Sequence, residues 1–177
     1  MLKWICLFVV SSLAIVSLAG DRLTNLESES ALAVLVPGSG TYSREISTQE
    51  PKAQEFFDQG LRLAWGFYFP ESIASYQEAS RLDPGHPMPF WGMAHAMGPN
   101  PNSRYARMPD DPMGEGFKAI NMAMERIQRA TPLEAKLIRA MHVLYDQETI
   151  SDTGKRDQAY LKEMRELNKE YPGDPDI

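Results

Sequence analysis

The stretch AQEFFDQGLRLAWGFYFPESIASYQEASRLDP, Ala53 to Pro84, decides the fold. Phe56, Gly60, Leu61, Leu63, Ala64 and Phe67 fall on adjoining faces of one helix, expected to end near Phe69-Pro70. Pro70 suits the first turn of a following helix, where its missing N–H leaves no bond unmade. That second helix carries Ile73, Tyr76, Ala79 and Leu82 at alternating three- and four-residue steps until Asp83-Pro84-Gly85 stops it. Two helices with so short a connection predict an antiparallel hairpin.

Towards the C-terminus the same grammar repeats. A helix from Pro87 to about Met97 is broken by GPNPNS, and a loop runs on to Asp110. Asp111-Pro112 is a start signal, after which Met113, Phe117, Ile120, Met124 and Ile127 keep helical spacing. Thr131-Pro132-Leu133-Glu134 reads as a capping box, its Thr hydroxyl accepting from the Glu134 N–H and the Glu134 carboxylate from the Thr131 N–H. Leu133, Leu137, Met141 and Leu144 form the stripe of the helix it opens. After ETISDTGK, a last helix presents Tyr160, Met164, Leu167 and Tyr171 and ends at Pro172-Gly173. The expectation is an all-α domain of six helices over residues 51–177, with no strand.

Towards the N-terminus, residues 1–19 read as a signal peptide: Lys3, an apolar run from Ile5 to Ala19, and Ser17 and Ala19 spaced for signal peptidase. An uncleaved anchor is the alternative, although the run is short for a bilayer span and holds serines. Residues 20–50 read as a linker or N-terminal extension, with a brief extended piece over Ala31 to Val36. Its PGSG lacks the Lys-Ser/Thr of a phosphate loop. Cys6, the single cysteine, lies inside the expected signal, so the exported chain would hold its fold without disulfides. These features predict an extracytoplasmic protein, periplasmic or secreted, that meets the membrane only transiently through its signal peptide.

A formal charge of −6 without a Lys/Arg cluster argues against nucleic acid as a partner. With 43% hydrophobic residues, the chain can build one domain with a core.

The hairpins follow the tetratricopeptide-repeat (TPR) pattern of about 34 residues. With Pro84 at the closing proline, Phe56 takes the Trp position, Gly60 the Gly position and Tyr76 the Phe position, while Gln59, Leu63 and Ser72 depart from it. Phe90, Met93, Ala94 and Met97 begin a second repeat one period later. More specifically, GTYSREIST, the stretch quoted first, PFWGMAHAMGPNPN, ATPLEAKLIRAM and RDQAYLKEMRELNKEYPGDPD resemble a family of exported bacterial TPR proteins of unestablished activity. The resemblance covers Gly40 to Ile177. It implies a TPR-like α-solenoid with further helices beyond residue 177, so this chain is expected to be incomplete at its C-terminus and to self-associate through its last apolar helix face.

Candidate sites follow from that architecture. None of His86, His95 and His142 has the i, i+4 partner of a zinc helix, and His86 reads as a turn residue. Ten methionines make an exported Met/His protein that binds copper an alternative, because thioethers are soft ligands; Met93, Met97, Met113 and Met124 read as core filling. No G-x-S-x-G elbow or similar motif supports catalysis, and an uncharacterised enzyme is the remaining alternative. No cofactor or metal is expected. The resemblance to TPR domains puts Gln54, Phe57, Leu61, Ala64 and Trp65, then Met88, Trp91 and His95, on the concave face, with Asn100 and Asn102 in the loop beside it. The leading expectation is thus a non-catalytic scaffold that binds a protein or peptide partner in the groove.

Overall fold

A computed structural model describes residues 30–100 and 107–177; the expected signal peptide and Asn102 lie outside these. The described residues form six α-helices: α1 Pro51–Trp65, α2 Phe69–Leu82, α3 Met88–Met97, α4 Pro112–Glu125, α5 Pro132–Tyr145 and α6 Thr153–Glu170. No strand occurs among them. Proline stands in the first turn of every helix from α1 to α5, so the chain is stopped and restarted where an N–H is dispensable. Side-chain caps reinforce α4 through Asp111 and α6 through Asp152, and both bonds of the Thr131–Glu134 capping box are present at α5.

The first helix ends four residues before the expected Phe69. Phe67 takes a left-handed backbone with φ of 65°, its N–H donates to Ala64 O, and the Tyr68 N–H reaches back to Leu63 O. This is a Schellman cap with Phe where glycine is preferred. The apolar period runs past the end of the helix, because Phe67, which continues its spacing, belongs to the cap.

Each helix packs on its successor, and α1 also touches α3, as α3 touches α5. Two tyrosines set the close approaches. The Tyr76 ring of α2 lies against Gly60 of α1 and Gly92 of α3, where an added Cβ would come within 2.7 and 2.4 Å of it. Tyr145 of α5 lies likewise against Gly116 of α4, and its hydroxyl donates to the Ala94 carbonyl of α3 at 2.7 Å. Bulk on one helix is matched by bare backbone on the next, which fixes helix spacing more tightly than apolar pairing alone.

The segment before α1 is docked. The Leu32 N–H donates to Glu78 Oε2, Gln59 brackets the chain by accepting from the Val36 N–H and donating to Val34 O, and Asp58 accepts from the Arg44 N–H. Gln54 continues the row, accepting from the Ile46 N–H and donating to Arg44 O. Polar side chains of α1 and α2 thus take up backbone groups that form no ladder of their own, while Val34, Leu35 and Val36 stay exposed.

Candidate functional site

Four helices contribute to one cavity of about 160 Å³, each through a pair of residues one turn apart: Leu61 and Trp65 of α1, Trp91 and His95 of α3, Leu137 and Met141 of α5, Tyr160 and Met164 of α6. An i, i+4 pair places two side chains one above the other on a single face, so each helix lines the cavity at two levels. Asp176, beyond α6, completes the wall.

The aromatic wall is graded. Trp91 is 4% exposed and stacks on His95 with ring centroids 5.3 Å apart and planes 11° apart, whereas Trp65 is 54% exposed and meets His95 at 6.2 Å and 57°. Burial holds the His95 imidazole below its usual range, against a smaller opposing pull from the Asp176 carboxylate. Trp91 Nε1 and His95 Nδ1 are buried and meet no hydrogen-bond partner among the described residues. Such groups cost stability unless something else satisfies them.

Beside the cavity, the segment after α6 is clasped to the segment before α1. Gly173, with φ of 93°, turns the chain back at the end of α6. Arg44 then donates two bonds to Asp174, at 2.7 and 3.0 Å, and one to Asp176 Oδ2 at 2.8 Å. The Tyr42 hydroxyl adds a bond to the same Oδ2 at 2.6 Å, and the Trp65 indole N–H donates to Asp176 Oδ1 at 3.3 Å. Burial, then the bond to Asp176, pushes the Tyr42 hydroxyl up to about 12. Burial disfavours the Arg44 cation, but its bonds to the two carboxylates outweigh that and hold it charged. For Asp174, burial would raise the carboxyl, and the Arg44 bonds overcome it and lower it.

The groove residues expected from sequence divide. Leu61, Trp65, Trp91 and His95 come together at the cavity. Phe57 and Met88 are fully buried in the core, and Gln54 holds the leading segment instead. Asn100 follows the end of α3, its N–H donating to Gly98 O, away from the cavity lining. Sequence reading missed Leu137, Met141, Tyr160, Met164 and Asp176 as members. The first four stand on the apolar stripes of α5 and α6, and their pairwise spacing matches that of Leu61 with Trp65; nothing local marks Asp176.

His86 is fully buried rather than a plain turn residue, and it belongs to a second polar cluster. Its Nδ1 accepts the Met88 N–H at 3.2 Å, so the neutral ring carries its proton on Nε2 and donates it to Ser47 Oγ at 3.0 Å. Ser47 in turn donates to Glu134 Oε2 at 2.7 Å, and its amide to Oε1 at 2.8 Å. A base that activates serine must accept the hydroxyl proton; here the imidazole donates and the hydroxyl proton points to the carboxylate. The cluster pins the leading segment to the N-terminus of α5. Among the described residues no group of three or more His, Cys, Asp or Glu side chains is placed to hold a metal ion.

No protein-family model, curated protein or solved structure matches this chain.

Proposed function

We propose that the chain is an exported, non-catalytic binding module, a TPR-like solenoid whose groove takes an extended acidic segment of a protein partner. The order of helix contacts, with α1, α3 and α5 in one row and each followed by a packed companion, supports the solenoid reading. The observation that carries the partner reading is the seating of Asp174 and Asp176 on Arg44, Tyr42 and Trp65. A guanidinium fork, a phenol and an indole N–H are donors matched to carboxylates, and charge-assisted bonds of this kind are both strong and directional. Trp65, Phe67 and Tyr68, exposed by 54, 55 and 61%, extend the contact surface beyond them. Tyrosine and tryptophan at a rim anchor partners with little loss of side-chain freedom.

The test uses the full chain with Asp174→Asn and Asp176→Asn, which weakens the internal occupant. A synthetic acidic peptide, GDPDI, added to this chain should change tryptophan fluorescence saturably, and Arg44→Ala or Trp65→Ala should weaken the binding by about tenfold or more. Equal binding of an Asn-substituted peptide would rule out recognition of the acidic groups.

A further inference from the structure

The cavity also holds a set of soft, uncharged donors. Met141 of α5 and Met164 of α6 line it together with His95 of α3, three helices brought together by the packing. His95 Nδ1 is buried without a hydrogen-bond partner among the described residues, and the indole face of Trp91 lies parallel to the imidazole. Among the described residues the one carboxylate in the lining is that of Asp176, which already accepts from Tyr42, Arg44 and Trp65. A hard or borderline divalent ion therefore finds no set of free oxygen or thiolate ligands.

We propose that His95, Met141 and Met164 form a binding site for one Cu(I) ion, with Trp91 and Trp65 as its aromatic walls. Thioether sulfur and imidazole nitrogen are the ligands a soft monovalent ion selects. Indole faces attract cations, and the neighbouring Arg44, Asp174 and Asp176 together leave one negative charge to balance a monovalent ion. Binding involves no redox step: the ion enters and leaves as Cu(I), and all three ligands stay neutral. Methionine as plain filling would be replaced by leucine without consequence, and this is where the two readings part.

The decisive experiment titrates the full chain with Cu(I) under anaerobic conditions against a chromogenic Cu(I) chelator, following tryptophan emission in parallel. The expected result is one Cu(I) per chain with quenched emission. Met141→Leu with Met164→Leu, a change that keeps volume and packing, should weaken binding by at least about tenfold, and His95→Gln by a similar factor. Far-UV circular dichroism of each variant confirms that the helices are retained. No uptake at micromolar Cu(I), or a double leucine variant binding as tightly as the parent, overturns the site.

Discussion

Arg44 and Asp174, 130 positions apart, form a two-bonded ion pair, Nη1 to Oδ1 at 2.7 Å and Nη2 to Oδ2 at 3.0 Å. Contacts between successive helices would by themselves leave the two ends of the array free of one another. The pair closes them. Because the guanidinium and both carboxylates are largely buried, truncating the cation leaves two acidic groups without their partner.

Arg44→Met keeps the aliphatic stem and removes the charge. The expected loss of stability is about 3 kcal/mol, with faster amide exchange in residues 171–177. Denaturant unfolding and hydrogen exchange check both.

The same pair gives a pH dependence of known sign. Asp174 is lowered in the folded chain, so its contribution is present above the unfolded carboxyl value of about 3.9 and lost as pH falls through the lower folded one. Acid unfolding should therefore begin at higher pH in Arg44→Met than in the parent.

Gly92→Ala should be among the most damaging single-methyl changes. The new Cβ would stand 2.4 Å from the Tyr76 ring, which Gly60 blocks on its other side. A loss of about 2 kcal/mol is expected from overpacking. Adding Tyr76→Leu should make the double variant less destabilised than the sum of the two single changes, a coupling measurable by a double-mutant cycle.

Phe67 offers a gain. Its φ of 65° is left-handed, and its side chain is exposed. Phe67→Gly relieves about 1 kcal/mol of backbone strain and should raise the melting temperature, while the rim loses one aromatic.

His86 predicts a second pH effect. Burial lowers it, Glu134 and Asp83 pull the other way, and Arg129 adds to the lowering. The unfolded chain thus binds the proton more readily, so stability is full above about pH 6.5 and falls as pH drops below it. His86→Gln should make that slope shallower, as read by urea midpoints across the range.

The sequence made local features legible because their causes are local. The Thr131–Glu134 capping box, the proline starts and the facing of Trp91 and His95 each follow from residues within one turn of each other. The end of α1 is not legible in the sequence, since Phe67 occupies a position whose backbone favours glycine and its residue type does not mark it. Burial of His86 depends on Ser47 and Glu134, which lie 39 positions before it and 48 after it, and the seating of Asp176 on Tyr42 spans 134. Periodicity shows which face of α6 is apolar. It does not show that Tyr160 and Met164 on that face close the same cavity as Trp65.

In the proposed function the donors Tyr42, Arg44 and Trp65 read paired carboxylates on an extended chain. The most direct measurement is the dissociation constant of labelled GDPDI peptide for the Asp174→Asn, Asp176→Asn chain, with Arg44→Ala added in a parallel sample. The expected result is saturable binding that weakens on Arg44→Ala and is competed by the acidic peptide but not by its Asn-substituted form. Peptide binding that is absent, or that is unchanged by Arg44→Ala, would contradict it.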